Sequence, residues 1–433
     1  MRVGVLGCGT VGSSLISLVQ RQRATIASRT GLQLEVTRVA VRDVSRPRAV
    51  ELAPEVLTTD PAAVVADPAV DVVVELMGGL EPARTLVLEA LAAGKPVVTA
   101  NKALLASHGP ELFKAAADAG VDLLFEAAVA GGIPFVRPLR ESLLGEPVHR
   151  VMGIVNGTTN FILTRMTEAG ADYAEALAEA QALGYAEADP TADVEGHDAA
   201  AKIAIVASIA FGAAVTVDDV VVEGISGITA ADIAFAGRHG FAVKLLADAQ
   251  LTDGDDGPEI AVRVNPVLVP ETHPLASVRE SFNAVFVQGD AVGDLMFYGR
   301  GAGGDPTASA VLGDLVDAAV NLDRGAHASV GALAPARIRP PEEASAARYL
   351  SLQAVDQPGV LAAVAGVFGE HGVSIASMEQ EGGSADGQAR IEFVTHRAVE
   401  RSLRATLAAL EELDVVHSVG SVVQVLTDGG EGA

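Results

Sequence analysis

RVGVLGCGTVG, residues 2–12, is the most informative segment for the fold, because a short run of apolar residues leads directly into three spaced glycines. Residues 13–19, SSLISLV, continue with helical periodicity, so the segment predicts a strand, a tight turn and a helix. This order is the context in which a Gly-x-Gly-x-x-Gly motif binds a dinucleotide. The alternative is a glycine turn with a purely structural role.

The residues of this loop have distinct expected roles. Gly7 permits the tight turn, Gly9 lets the backbone approach a pyrophosphate, and Gly12 lets the helix pack on the strand. The N–H groups at the start of the helix, at Thr10 and Val11, would face the phosphates. We therefore expect these five residues to bind the cofactor.

Apolar strands alternate with alanine-rich helical segments along the rest of the N-terminal region. The predicted strands are residues 34–41, 70–76, 96–99 and 121–125, and the predicted helices include residues 82–93 and 103–119. Such alternation predicts an α/β fold with a parallel, doubly wound sheet of the Rossmann type.

The pattern changes after about residue 135 and again after residue 347. A strand at 148–155 and helices near 158–170 and 197–211 predict a second domain of the α+β class. Residues 325–347 contain three prolines and predict a linker. Residues 348–426 then follow the order β, α, β, β, α, β, which is the ferredoxin-like pattern.

The composition excludes several classes of protein. Thirty Lys and Arg against 56 Asp and Glu give a net charge of −26, which offers no basic surface to nucleic acid. No apolar run reaches the ~18 residues that a membrane span needs. The single cysteine permits no internal disulfide, and the first residues lack the pattern of a secretory signal. We therefore expect a cytoplasmic protein with no nucleic-acid or membrane partner.

The end of the second predicted strand bears on the choice between NAD and NADP. Arg42 could pair with a 2′-phosphate, whereas Asp43 could accept a hydrogen bond from a ribose 2′-hydroxyl. Because Arg42 comes first after the strand, the sequence favours NADP and keeps NAD as the alternative.

The densest group of charged residues lies in LGYAEADPTADVEGHDAAAK, residues 183–202. Asp198 and Lys202 are four apart at the head of a helix that continues in apolar residues, so Lys202 should lie at the edge of the low-dielectric interior. A lysine held there by a carboxylate can serve as a general acid and base. The alternative is an ordinary surface salt bridge, which contributes little.

Lys102 is a second candidate for the site. It ends the segment TANK, residues 99–102, which follows a predicted parallel strand. Open α/β sheets bind their ligands at the carboxyl ends of such strands. The alternative is a solvated lysine at the start of a helix.

The chain resembles the homoserine dehydrogenase family from residue 1 to about residue 324. The segments that carry the resemblance are GCGTVG at 7–12, VVVELMGG at 72–79, TANKALLA at 99–106, EAAVAGGIP at 126–134, NGTTNFIL at 156–163 and the segment 183–202 quoted above. Residues 348–426, with DQPGVL at 356–361, resemble an ACT regulatory domain.

The resemblance implies a division into domains. Residues 1–134 would form the NAD(P)-binding Rossmann domain, to which residues 300–324 return. Residues 135–299 would form the catalytic, substrate-binding and dimerisation domain. Residues 325–347 would be the linker and residues 348–426 the ACT domain.

The resemblance also implies a reaction, the NAD(P)-dependent interconversion of L-homoserine and L-aspartate 4-semialdehyde. By similarity, Lys202 is the general acid and base, and Asp198 orients the substrate. Glu187 and Asp193 help to bind the substrate through its ammonium group, and Lys102 lies near both substrate and nicotinamide.

Further ligands follow from the same resemblance. A sodium ion would be held by backbone carbonyls, and Gly303 would return toward the cofactor. The ACT domain would sense an amino acid, L-threonine first, or would serve oligomerisation alone, and the protein would form a homodimer or homotetramer. The carbonyls implied for sodium are those of Glu126, Val129, Gly131 and Ile133.

Two other functions are compatible with an N-terminal Rossmann domain and a C-terminal ACT domain. One is another dehydrogenase linked to amino acids, of the phosphoglycerate or prephenate type, but those families lack the NGTTN and GYAEADP segments at these spacings. The other is a non-catalytic NADP-sensing regulator, which loss of Lys202 or Asp198 would have favoured. Both residues are present.

Overall fold

The computed structural model describes residues 1–328, 330–381 and 387–427. Residue 329, in the predicted linker, and residues 382–386, in the ACT-like segment, lie outside that description. The strands, in chain order, are β1 (Arg2–Leu6), β2 (Glu35–Ala40), β3 (Leu57–Thr58), β4 (Val72–Glu75), β5 (Val97–Thr99), β6 (Leu123–Leu124), β7 (Val148–Ile154), β8 (Ala213–Ala214), β9 (Val221–Val222), β10 (Phe241–Thr252), β11 (Glu259–Pro270), β12 (Phe282–Gly289), β13 (Gly293–Arg300), β14 (Ala334–Pro335), β15 (Ser345–Val355), β16 (Ile375–Glu381), β17 (Gln388–Thr395), β18 (Ala398–Val399) and β19 (Val416–Val425).

The α-helices follow the predicted positions closely. None of those in the described part of the chain is long and apolar enough to cross a membrane. They are α1 (Thr10–Thr30), α2 (Pro61–Ala66), α3 (Ala83–Ala92), α4 (Lys102–Ala119), α5 (Gly157–Ala169), α6 (Tyr173–Ala182), α7 (Thr191–Val194), α8 (His197–Phe211), α9 (Ala230–Arg238), α10 (Gly304–Arg324), α11 (Val360–Glu370) and α12 (Glu400–Glu411).

Two compact units make up the chain, and each is discontinuous in sequence. The first contains residues 1–157, 198–220 and 282–336, and the second contains residues 158–197, 221–281 and 337–433.

The first unit is built on a parallel sheet in the order β3-β2-β1-β4-β5-β6. The order reverses between β1 and β4, which places a crevice at the carboxyl ends of these two strands. The Rossmann-type prediction is confirmed. This unit also holds the antiparallel strands β7, β12 and β13, paired in that order.

Helix α10 completes the core of the parallel sheet, although it lies almost two hundred residues after β6. Its buried side chains Val311 and Leu315 belong to the same apolar cluster as Val3 and Val5 of β1 and Leu15 of α1. Burial of such side chains contributes roughly 1.5–3 kcal/mol each. The N-terminal sheet therefore depends on a distant segment of the chain.

The second unit joins a long hairpin to the predicted ferredoxin-like segment. Strands β10 and β11 pair antiparallel along their whole lengths, and β11 pairs parallel with β19. The order β19-β15-β17-β16 with α11 and α12 is the one expected for a β, α, β, β, α, β unit. Leu350, Phe368 and Phe393 lie in the core between this sheet and its helices.

Helix α9 contacts the other face of the ferredoxin-like sheet through buried polar groups. The Tyr349 hydroxyl lies 2.9 Å from Asp232 Oδ1 on α9 and 2.9 Å from Glu392 Oε1 on β17. Arg390 donates from Nη2 to Asp232 and from Nε to Glu392, both at 3.0 Å. Because α9 runs directly into β10, this cluster ties the ferredoxin-like sheet to the hairpin.

Candidate active site

The glycine loop between β1 and α1 has the geometry that close approach of a phosphate requires. Gly7 has φ +101°, and a Cβ added there would lie 2.6 Å from the Leu76 carbonyl oxygen. A Cβ at Gly12 would lie 2.5 Å from the Gly7 oxygen, whereas a Cβ at Gly9 would meet nothing within 4 Å. Packing thus excludes larger residues at Gly7 and Gly12, and the open space at Gly9 leaves room for a ligand.

The first turn of α1 also suits an anion. It carries no acidic side chain, and no side chain caps it. Its free N–H groups and the positive end of the helix dipole favour a phosphate there. The start of α10 lies beside it, because a Cβ at Gly304 would be 3.1 Å from both Ser14 Oγ and Thr10 Cγ2. The structure therefore places the Gly303–Gly304 turn next to the glycine loop.

The segment after β2 separates the two candidates for ribose recognition. Asp43 Oδ1 accepts hydrogen bonds from the Ser45 N–H at 2.8 Å and the Ser45 hydroxyl at 2.7 Å, and these bonds lower the pKa of its carboxyl. Arg42 is exposed. Asp43 is exposed as well, but one of its carboxylate oxygens is already engaged in its own turn.

Lys102 is the first residue of α4, and a polar network fixes that helix start. Buried Glu75 accepts from the Met77 N–H at 2.7 Å and from the Thr99 hydroxyl at 2.7 Å. Asn101 caps α4 by accepting from the Leu104 N–H, and its amide donates to the Gly79 oxygen at 2.7 Å. These bonds hold the carboxyl ends of β4 and β5 together and orient the helix that carries Lys102.

Asp198 lies at the centre of a charged cluster within the first unit. Its carboxylate accepts from Lys202 Nζ at 2.7 Å and from Asn156 Nδ2 at 2.9 Å, and lies 2.9 Å from Lys102 Nζ. Lys202 also donates to the Val155 carbonyl at 2.6 Å. Burial alone would raise the pKa of the Asp198 carboxyl, but the charges of Lys202 and Lys102 outweigh burial and hold it well below its usual range.

The pairing of Asp198 with Lys202 differs from an ordinary surface salt bridge. Their side chains are 9% and 11% exposed. Lys114 and Asp118 form a bridge of the same i, i+4 spacing on α4, and their side chains are 67% and 66% exposed. A charge pair excluded from water interacts more strongly than an exposed one. The structure thus brings three predicted site residues together as a partly enclosed cluster.

Comparison with known proteins assigns the chain to a family. A family profile for homoserine dehydrogenase matches residues 134–316, its NAD-binding-domain profile matches residues 7–126, and an ACT-domain profile matches residues 348–415. A homoserine dehydrogenase of Corynebacterium glutamicum is 52% identical over 428 residues, which cover 98% of this chain and 96% of that protein. The chain belongs to the homoserine dehydrogenase family. The resemblance found in the sequence, including the ACT domain, is confirmed.

Solved structures of the homoserine dehydrogenase family share the fold. The crystal structure of a homoserine dehydrogenase from Thiobacillus denitrificans has a TM-score of 0.93 and 43% identity, with 99% of each chain covered. A hyperthermophilic archaeal homoserine dehydrogenase in complex with NADPH has a TM-score of 0.62 and 27% identity, over 74% of this chain and 98% of that one.

The loop that carries the predicted sodium ligands has an irregular backbone. Ala130 and Gly131 have φ values of +54° and +53°. The Glu126 carboxylate accepts from the backbone N–H groups of Phe135, Val136 and Arg137, so the side chain organises the following turn. Backbone carbonyls, rather than this carboxylate, are therefore the groups the loop could offer to a cation.

The same loop is fixed from α10. The Glu126 N–H donates to Asp314 at 2.7 Å, and Arg137 Nη2 lies 3.2 Å from Asp314 and 2.7 Å from Asp317. Burial raises the pKa of Asp314 to about 7. Among the described residues, no group of three His, Cys, Asp or Glu side chains forms a metal site.

The two predicted substrate acids lie in the second unit. Glu187 is exposed in the loop between α6 and α7, and its carbonyl accepts from Gln181 Nε2 at 3.1 Å. Asp193 is half-buried on α7. Their roles in homoserine binding stay predictions.

Sequence reasoning did not single out four residues that hold the site. Glu75, Thr99, Asn101 and Asn156 lie within quoted motifs, but none was assigned a role. The sequence feature that points to them is a polar residue at the end of an apolar strand. When such a polar group is buried, it requires a hydrogen-bond partner. Their partners come from separate motifs, which no spacing rule connects.

Proposed function

We propose that this protein interconverts L-homoserine and L-aspartate 4-semialdehyde, with NADP as the preferred cofactor. The observation that carries the proposal is the enclosed Lys102–Asp198–Lys202 cluster in the unit that holds the glycine loop. The family assignment supplies the substrate class. The cluster supplies a lysine that is positioned by a carboxylate and can exchange a proton.

In the proposed oxidation, the hydroxyl proton of homoserine passes to the neutral amine of Lys202. A hydride leaves the carbon that bears this hydroxyl. A bound nicotinamide supplies the hydride acceptor. In reduction, the Lys202 ammonium returns the proton to the carbonyl oxygen. Asp198 and the Val155 carbonyl hold Lys202 Nζ in place in both directions of the reaction. Positioning of this kind contributes to general acid–base catalysis.

The remaining parts of the proposal concern binding and organisation. Glu187 and Asp193 bind the substrate ammonium, which as a desolvated cation needs carboxylate partners. The carbonyls of Glu126, Val129, Gly131 and Ile133 hold a sodium ion. The irregular backbone at Ala130 and Gly131 supports this role.

We also propose the division into domains that the sequence analysis gives, and we propose that the protein forms a homodimer or a homotetramer.

Preference for NADP is proposed from Arg42, which is exposed while Asp43 is engaged with Ser45. The relative bound to NADPH shows that a family member accepts the phosphorylated cofactor. We expect kcat/KM to be higher with NADP than with NAD when homoserine-dependent reduction is followed by absorbance. Arg42→Ala should lower kcat/KM for NADP about tenfold, the loss of one charge-assisted contact of about 1.5 kcal/mol, and leave NAD nearly unchanged.

Arg23→Ala is the matched control, since this arginine of α1 donates to Gln33 instead. Equal losses with both cofactors in Arg42→Ala would contradict the proposed contact. An absence of homoserine-dependent reduction with either cofactor would contradict the proposed reaction.

We propose that L-threonine binds the ACT domain and lowers activity. Support comes from the buried cluster of Tyr349, Asp232, Arg390 and Glu392, which joins the ACT sheet to α9. An effector acts only if it binds two states with different affinity, and a rigid contact of this kind can bias such states. We expect millimolar L-threonine to inhibit, and L-valine, which lacks the hydroxyl, to inhibit less.

Steady-state rates with each amino acid, together with calorimetric titration, test this regulation. Sensing would be excluded if neither threonine nor another amino acid of the aspartate family bound or changed the rate at millimolar concentration. The ACT domain would then serve oligomerisation alone.

A further inference from the structure

The second unit contains a cavity of about 270 Å³ that is open to solvent on one side and that the proposed reaction does not use. One wall is the end of α5, another is the start of β10, and the third is the segment that follows β11. The cavity has space for about nine water molecules at about 30 Å³ each, enough for a ligand of a few non-hydrogen atoms. Its lining residues are Thr164, Thr167, Glu168, Ala242, Lys244, Glu271, Ala276, Ser277 and Arg279.

Lys244 on β10 lines this cavity and is only 4% exposed. Its Nζ donates to Asn160 Oδ1 at 3.2 Å and to the Val278 carbonyl oxygen, and both acceptors are neutral. Among the described residues, no carboxylate lies within 4 Å of this ammonium group. An ammonium group has three donors, so one of them remains for a group in the cavity.

A buried charge without a counter-ion is costly, and most such groups in proteins are paired. The acid whose charge acts on Lys244, Glu168, is itself held in an ion pair by Arg279. Burial lowers the pKa of Lys244 to about 8, with Glu168 opposing that shift and Arg279 adding to it. Lys244 is therefore still mainly charged at pH 7.

The charges that line the cavity sum to zero. Lys244 and Arg279 are positive, and Glu168 and Glu271 are negative. A multiply charged anion would be repelled by the two carboxylates, whereas a net-neutral ligand with separated charges can satisfy both signs. This distribution favours a small zwitterion.

We propose that the cavity binds a small amino acid, whose carboxylate accepts a hydrogen bond from Lys244 Nζ and whose ammonium group faces Glu271 and Glu168. The Thr164, Thr167 and Ser277 side chains complete the polar wall. This site is separate from the ACT domain and does not rest on the proposed reaction. It gives the buried Lys244 ammonium an anionic partner, which none of the residues that the structure describes supplies within 4 Å.

Thermal unfolding of the full-length protein at pH 7, with glycine as the probe, tests the proposal. Wild type should show a saturable rise in Tm of about 1.5 °C at ten times the dissociation constant. Acetate and inorganic phosphate, at matched ionic strength, should give smaller shifts. Saturation distinguishes binding from the general stabilisation that excluded osmolytes cause, which grows steadily with concentration.

Lys244→Met should abolish the saturable shift, because it keeps the length of the side chain and removes the charge. Lys95→Met is the matched control, since Lys95 is another partly buried lysine that donates to backbone carbonyls, those of Val65 and Asp67. It should leave the shift intact. If Lys244→Met does not fold, Glu271→Gln, at an exposed position, should still weaken the response to glycine at least threefold without weakening that to acetate.

Three results would overturn the assignment. They are no saturable shift in wild type, an equal shift in Lys244→Met or, where that variant does not fold, in Glu271→Gln, and a shift with acetate or phosphate as large as the one with glycine.

Discussion

Lys202→Met should lower kcat for homoserine-dependent reduction of NADP by about 10²–10⁴-fold, the range that a positioned general acid or base contributes. Methionine fills a similar volume at this buried position but cannot exchange a proton. The glycine loop lies on other elements, so binding of NADPH, measured by its fluorescence, should be nearly unchanged. Stopped or continuous absorbance assays give kcat directly.

Two variants make this result specific. Lys202→Arg keeps the positive charge beside Asp198, but a guanidinium does not give up its proton, so kcat should stay low. Lys95→Met removes a partly buried lysine elsewhere in the same unit and should leave kcat within about twofold. A Lys202→Met enzyme that retained more than a tenth of the wild-type kcat would refute the proposed role.

Asp198→Asn should affect both stability and catalysis. The carboxylate pairs with both Lys202 and Lys102, and its loss leaves the mostly buried Lys202 beside a second lysine without this counter-ion. Breaking one side of a buried pair costs about 3 kcal/mol, and misplacement of the lysine should lower kcat at least about a hundredfold. Urea unfolding and the absorbance assay measure the two effects.

The stability effect has a defined pH dependence. An aspartate in an unfolded chain titrates near about pH 3.9, and the ion pairs hold the pKa of folded Asp198 well below that value. The carboxylate therefore contributes its full stabilisation above about pH 5, and this contribution is lost as the pH falls below about 4. The difference between wild type and Asp198→Asn should be constant from pH 5 to 8 and should shrink in acid.

The exposed pair of Lys114 and Asp118 gives the matched control for Asp198→Asn. Asp118→Asn removes a carboxylate at the same i, i+4 spacing, and it should change the free energy of unfolding by less than about 0.5 kcal/mol and leave kcat unaltered. Equal stability losses in the two variants would show that enclosure of the Asp198 cluster has no energetic consequence.

Local patterns were sufficient to predict the architecture. The strand, glycine loop and helix at residues 2–19 predict the dinucleotide-binding turn, and the alternation of strands and helices in residues 34–125 predicts the doubly wound sheet, since each signal lies within one contiguous segment. The order of elements in 348–426 predicted the ferredoxin-like unit for the same reason. Asp198 and Lys202 were predicted together because they are one helical turn apart.

Contacts between distant segments were beyond such reasoning. Lys102 meets Asp198 across 96 positions of sequence, and no periodicity connects them. The sequence likewise does not reveal that Asp232 on α9 would meet Tyr349 of the ACT domain, or that Lys244 would lie in a cavity. Each depends on how separate elements pack, which hydrophobic pattern alone does not determine.

Helix α10 has a consequence for synthesis of the protein. Because Val311 and Leu315 complete the core around β1 and α1, the nucleotide-binding sheet cannot bury its apolar surface until more than 300 residues have been translated. At about 5–20 residues per second, the nascent N-terminal segment remains incomplete for tens of seconds. We expect chains truncated before residue 304 to be aggregation-prone, and we expect chaperones that bind exposed hydrophobic segments to engage this nascent chain early.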